Sequence, residues 1–182
     1  MRTVLKGGTM IAPVPAVIVT CSHENITNAF TVAWTGIINT RPPMTYISVR
    51  PERFSYDIIK NSGEFVINLT TSKMAKITDY CGMKSGKKTD KMKRLETVPS
   101  SEVSAPTITA SPVALECKVR EFRELGSHTM FMADIVAVTA DERYIDSKGK
   151  INLEQAGLMA YAHGKYYSLG RKLGDFGFSV RK

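Results

Sequence analysis

The residues best suited to holding an anion fall in nine consecutive positions, S-V-R-P-E-R-F-S-Y, residues 48 to 56. Arg50 and Arg53 bring guanidinium groups, whose planar fork pairs with phosphate oxygens, and Ser48 and Ser55 bring hydroxyls. On a strand alternate residues share a face, so Tyr46, Ser48 and Arg50 point together, away from Ile47 and Val49. Pro51 ends that strand, because it has no N–H for a ladder and fixes its own φ. Ser55 then reads as a helix N-cap, with Phe54 as a hydrophobic staple against Ile59. Free N–H groups at a helix start favour anions. Two readings stay open from these residues: an anion clamp, or a polar strand-to-helix turn with solvated arginines.

Other reactive residue types are scattered. His23, His128 and His163 are far apart and lack companions at ligand spacing, so no metal site is expected. Cys21, Cys81 and Cys117 form no C-x-x-C pair, which argues against a disulfide framework or a structural zinc site and for free, buried thiols. G-x-G-x-x-G, the P-loop, G-x-S-x-G and H-E-x-x-H are all missing.

The elements that must position the turn are mostly strands. Residues 15–20, 29–35, 44–49 and 64–69 are short, rich in β-branched and aromatic types, and separated by Asn, Gly or Pro. A longer strand follows over 112–122, with Val113, Leu115, Cys117 and Val119 on one face and Glu116, Lys118 and Arg120 on the other. Another runs from His128 to Ala140, joined by a turn in which Gly126 suits a hairpin. It is apolar on both faces and reads as central. Helices are expected over Ser55–Ser62, closed by Gly63, and over residues 72–82, where Met74, Ile77 and Cys81 share a face and Gly82 ends the segment. Many strands and few helices predict a mainly β, closed barrel.

With 182 residues, 43% hydrophobic and 23% charged, the chain reads as one domain, residues 1–182, with a polar, basic loop or lid at about 84–111. No apolar run approaches the roughly 20 residues a bilayer demands, and the N-terminal segment is broken by Gly and Pro without a convincing cleavage site, so a cytoplasmic protein with no membrane partner is expected. The net charge of +8 raises nucleic-acid binding. Much of it lies between Lys84 and Arg94, without the interleaved aromatics of a stacking platform, so no nucleic acid is expected.

Four blocks, in order from about Pro13 to Val180, carry a family resemblance: FTVAWTGIINTRPPMTYISVRPERFSYDIIKNSGEFVINL, DYCGMKSGKKTDKM, GSHTMFMADI and YYSLGRKLGDFGFSV. Together they resemble the flavin reductase and flavoredoxin family of FMN-binding split-barrel proteins. The resemblance implies a Greek-key split β-barrel with a few short helices, a homodimer, and one FMN per subunit. It implies that Ser48, Val49, Arg50, Arg53, Phe54, Ser55 and Tyr56 hold the phosphate end, and that Ala33, Trp34, Thr35 and Gly36 run along the isoalloxazine ring. By side chain alone, Trp34 would serve equally as a core aromatic. Asn68 is expected on the ribityl chain, or as a polar strand end. Tyr80, Cys81, Gly82, Ser85 and Lys87 match a second phosphate- or ribityl-side segment, against a solvated charge run for the lysine.

His128 resembles the histidine of a G-x-H-T turn that helps seat a nicotinamide, and is the expected catalytic residue; a lone His opening a strand is otherwise structural. The expected activity is an FMN-dependent oxidoreductase, NAD(P)H:flavin reductase-like, with NADH or NADPH as donor and free flavin or a partner protein among its acceptors. The alternative is a flavoredoxin-like FMN electron carrier without nicotinamide turnover. Because hydride chemistry belongs to such a cofactor, no acid–base pair need stand out.

Overall fold

Alternation of β-branched and aromatic residues gives this chain its strands, and their order decides which distant segments meet. The computed structural model describes residues 1–180. In chain order the elements are β1 (Val14–Pro15), β2 (Val17–His23), β3 (Ile26–Val32), β4 (Thr35–Thr40), β5 (Pro43–Val49), α1 (Ser55–Ser62), β6 (Glu64–Asn68) and α2 (Ala75–Met83). After them come β7 (Thr97–Val98), β8 (Thr107–Ile108), β9 (Val113–Glu124), β10 (Thr129–Ala140), β11 (Met159–Ala162) and β12 (Lys165–Ser168). Seven strands form one antiparallel sheet in the order β3-β2-β6-β9-β10-β5-β4, and β1, β11 and β12 form a small second sheet.

One apolar cluster draws residues from both ends of the large sheet, including Val19 of β2, Phe30 of β3, Ile47 of β5 and Phe131 of β10, with Ile59 of α1 among them. A sheet whose ends share a core must wrap around it. The opposite face of β2 and β3 is covered as well: Ile18 and Ala29 pack with Met74, Cys81 and Ile108. That double coverage explains why β2 is buried on both faces from Val17 to Ser22. Among the described residues, no helix is long and apolar enough to cross a membrane.

Helix α1 has the expected bounds, and Gly63 at φ 68 donates its N–H to the Ile59 carbonyl. Ser55 is not its cap. The chain enters the helix through backbone bonds, Arg53 N–H to Arg50 O and Tyr56 N–H to Arg53 O, with Phe54 at the cap position. The Ser55 hydroxyl is turned aside to accept from Asn28 Nδ2 at 2.7 Å.

The second helix begins as a 3-10 turn at Ser72–Met74 and continues through Met83, so Gly82 lies inside its last turn. Packing accounts for the glycine: a Cβ there would sit 3.3 Å from Thr31 Cβ. The strand expected over 29–35 is interrupted at Ala33 and Trp34, and β4 starts anew at Thr35. The hairpin β11–β12, turned at His163 (φ 44) and Gly164 (φ 82), was not foreseen.

The segment from 84 to 111 is fastened to the barrel by side chains on its outer face. Glu116 is fully buried and accepts from Ser101 N–H, Ser101 Oγ and Glu102 N–H. Glu64 accepts in the same way from Ser104 N–H and Oγ. The expected alternation of β9 therefore holds, but Glu116 faces a packed loop.

Candidate functional site

The break between β3 and β4, the turn after β5 and the last turn of α2 face one another across a cleft. Phe30, Thr31 and Val32 of β3 with Ala33 and Trp34 form one side; Ser48, Val49, Arg50 and Arg53 form another; Gly82 and His128 complete the rim. The side of the cleft missed in the sequence is made by Ala16, Tyr161 and Tyr166, which the small sheet brings in from both ends of the chain.

A second chamber adjoins the first, sharing Phe30, Arg50 and Arg53 and adding Asn28, Glu52, Phe54, Ser55, Lys84, Ser85, Gly86 and Lys91. The two measure ≈ 210 and ≈ 220 Å³. Each alone falls short of the roughly 300 Å³ at which ligand pockets begin, so a mononucleotide would need both. A third, more apolar cavity lies behind Trp34, lined by residues 8–11, Val14, Thr35, Tyr46, Tyr161 and His163.

Cations dominate the second chamber. Arg50 and Arg53 come from the turn and Lys84 and Lys91 from beyond α2, while Glu52 is the one acid lining it. Glu52 lies 3.3 Å from Arg50, an exposed pair of small energetic weight. Arg53 makes no ion pair among the described residues and donates through Nη1 to the Gly82 carbonyl at 2.9 Å. That carbonyl belongs to the last turn of α2, where helices leave acceptors unpaired. Lys91 is 2% exposed, and its Nζ donates to the Cys81 carbonyl at 3.2 Å. Burial pulls its pKa down, and no carboxylate is among the groups acting on it.

His128 precedes β10 at the mouth of the cleft. Its ring is nearly parallel to that of Trp34, at 7° with centroids 6.3 Å apart, and Nδ1 is 3.0 Å from Ser127 Oγ. Partial burial, and then the charge of Arg50, lower its pKa below the ordinary 6.5, so the imidazole is neutral near pH 7. It can donate one hydrogen bond and accept another. Trp34 is 45% exposed, which removes the core-aromatic reading.

The structure brings together Ala33, Trp34, Ser48, Val49, Arg50, Arg53, Gly82 and His128 in the cleft, and Phe54, Ser55 and Ser85 in the chamber beyond it. Thr35 lies on the far side of Trp34, with its hydroxyl donating to the Tyr46 carbonyl. Gly36 is occupied in the sheet, where its carbonyl accepts from Thr45 Oγ1. Tyr56 is a core residue, edge-on to Phe131 with its hydroxyl 3.2 Å from Thr129 Oγ1.

Asn68 is fully buried and lines neither chamber. Its Nδ2 donates to the Ile18 carbonyl and Thr20 Oγ1, and its Oδ1 accepts from Ile108 N–H, so its amide holds the 107–111 loop to the barrel. Tyr80 lies under Arg94, whose Cζ is 4.3 Å from the ring centroid. The Cys81 thiol is buried and held protonated by that burial; its carbonyl, through Lys91, is the part that serves the chamber. Lys87 is on the exposed loop, its N–H bonded to Ser85 Oγ, outside both chambers.

Asn28, Phe30 and Lys91 were missed. Asn28 and Phe30 share one face of β3 by simple alternation, a signal present in the sequence, whereas Lys91 is indistinguishable there from the solvated lysines around it.

Residues 10–170 match the family described as flavin reductase like domain. Flavoredoxin of Desulfovibrio vulgaris (Miyazaki F) superposes with a TM-score of 0.90 at 29% identity over 99% of each chain. Flavoredoxin from Methanosarcina acetivorans gives 0.91 at 25% identity, over 99% of this chain and 97% of that one. An FMN-binding protein from Thermus thermophilus, solved with 1-cyclohex-2-enone bound, shares the fold with a TM-score of 0.83 at 21% identity, over 96% of this chain and 99% of that one.

Proposed function

The chain belongs to the flavin reductase-like family, and we propose that it is an FMN-dependent oxidoreductase that draws electrons from NADH or NADPH and passes them to an acceptor. The observation that carries this reading is the meeting of Arg50, Arg53, Lys84 and Lys91 against the single acid Glu52, next to a cleft walled by Phe30 and Trp34. A cationic chamber beside a cleft with an aromatic wall fits a mononucleotide with a phosphate at one end and a planar ring at the other. Arg50, Arg53, Ser48, Ser55 and Lys91 would hold the phosphate. Phe30, Ala33 and Trp34 would flank the ring.

When bound, FMN supplies hydride acceptance and its onward release as electrons. The protein's part is to bind, orient and exclude water. His128, neutral at pH 7, is suited to pair with a nicotinamide carboxamide at the mouth of the cleft. Burial holds the Cys21 thiol protonated, with its pKa pushed up to about 12, so it is not poised as a nucleophile.

A flavoredoxin-like carrier without nicotinamide turnover is the second reading, favoured by the 29% and 25% identity to two flavoredoxins over nearly their full lengths. We place both readings in a homodimer. Ile37 and Ile38 on the edge strand β4, Val136 and Val138 on β10, and Phe176 and Phe178 near the C-terminus are exposed apolar residues that a second copy would cover.

The deciding experiment is the visible spectrum of purified protein incubated with FMN, desalted, and mixed anaerobically with NADH or NADPH. A retained flavin spectrum that bleaches supports the oxidoreductase. One that persists selects the carrier, and no retained flavin after direct titration refutes both.

A further inference from the structure

Tyr161 is shared by two spaces of different character. It lines the cleft that carries Arg50 and Arg53, and also the apolar cavity behind Trp34. Its strand, β11, is anchored at the base, where Met159 N–H bonds to the Thr70 carbonyl and Ser72 N–H to the Gly157 carbonyl, and along one edge by β1, which pairs Val14 with Tyr161 and Pro15 with Ala160. Beyond that base the outer strand, β12, pairs with β11 alone in the small sheet.

Tyr166 of β12 reaches across to α2, where its hydroxyl donates to Asp79 Oδ1 at 3.2 Å. The two tyrosine rings meet edge to face with centroids 5.5 Å apart, and both line the cleft. Asp79 makes no ion pair among the described residues, which leaves its carboxylate free to accept this bond. The same helix accepts from Arg53 at Gly82, so α2 is tied to both the cationic turn and the hairpin.

We propose that Asp79 and Tyr166 are positioning residues that latch the outer strand β12 to α2 and hold the Tyr166 ring against Tyr161 as part of the wall of the cleft. The proposal rests on the reading that the cleft holds FMN. Opening the latch would let β12 and the Tyr166 ring move away from the anchored β11 and widen the route by which a ring-sized ligand leaves.

The test compares Tyr166→Phe, Asp79→Leu and Asp79→Asn with the native protein. Two rates are read: amide hydrogen exchange of residues 165–168 in flavin-free protein, and FMN release after dilution, followed by the return of free-flavin fluorescence. Loss of one hydrogen bond predicts that Tyr166→Phe and Asp79→Leu raise both rates about fivefold. Asp79→Asn keeps an accepting oxygen and should stay near native in both. Native rates in Tyr166→Phe overturn the latch. Faster exchange with unchanged FMN release also overturns it, leaving the bond a stabilising contact of the hairpin. If native protein retains no FMN, the reading of the cleft fails, and the exchange rates decide alone whether Asp79 fastens the hairpin.

Discussion

Replacing Arg53 by Ala separates a phosphate clamp from a solvated turn. Arg53 lines both adjoining chambers and spends one hydrogen bond on Gly82 of α2. Its fold contribution is small, because the side chain is exposed and the freed carbonyl can return to water; the expected loss of stability is below about 1 kcal/mol. A charge-assisted bond to a bound phosphate is worth about 1.5–3 kcal/mol, which corresponds to a 10- to 150-fold rise in the Kd for FMN. Riboflavin has the same ring and no phosphate. Titrating flavin-free protein with both ligands therefore isolates the effect: the preference for FMN over riboflavin should shrink by that factor, with riboflavin affinity nearly unchanged. Arg53→Lys keeps the charge without the planar fork and should fall between. Equal weakening of both ligands would show a distorted cleft, and weakening of neither would return the turn to solvent; each result refutes the phosphate assignment.

Other expectations follow from neighbouring residues. His128→Ala should slow reduction by NADH or NADPH, read by stopped flow at 450 nm on the order of tenfold, by more than it weakens FMN binding; native rates would remove His128 from the site. Asn68→Ala leaves Ile108 N–H and the Ile18 carbonyl without a side-chain partner, so urea unfolding should show a loss of about 2–4 kcal/mol, with FMN affinity retained. The Cys21 thiol is raised from 9.0 to about 12, so the folded state keeps a proton that the unfolded chain loses. Its contribution is present below pH 9 and lost as pH rises toward 12, with a limiting slope of about 1.4 kcal/mol per pH unit. Urea unfolding at pH 8, 9 and 10 should thus show native protein losing about 1.4 kcal/mol more than Cys21→Ala by pH 10. Parallel losses in the two proteins would contradict that burial effect.

Local rules recovered what local forces decide. Helix α1 and its terminating Gly63 followed from side-chain spacing and the left-handed conformation that glycine adopts without strain. The strand ending before Pro51, with Ser48 and Arg50 near its end, followed in the same way. What local rules misjudged was competition from distant segments. Ser55 has the chemistry of a cap, yet Asn28, brought alongside by the barrel, engages its hydroxyl. Asn68 has the chemistry of a ligand contact, yet the 107–111 loop and β2 together use its amide. Lys91 shows the reverse. It sits in a run of lysines that are otherwise exposed, and its burial depends on the Cys81 carbonyl ten residues back, within a helix end that sequence spacing alone does not place over the chamber.

The cationic chamber is therefore a product of tertiary structure more than of the nine-residue turn that suggested it. The turn supplies Arg50 and Arg53, but the opposing side needs the loop after α2 to press closely on the start of α1. Gly86 makes that approach possible: a Cβ there would lie 2.3 Å from Phe54 Cδ1 and 2.7 Å from Asn28 Oδ1. With that loop in place, Lys84 and Lys91 face the arginines, and four cations share one region with one acid. Like charges gathered this way repel, and the Lys91 ammonium is desolvated besides, so the arrangement costs stability without a bound anion. Lys91 closes the Cys81 carbonyl, yet a neutral donor would do so without burying an ammonium beside two guanidinium groups. That burial supports the proposed phosphate site more strongly than the number of arginines does.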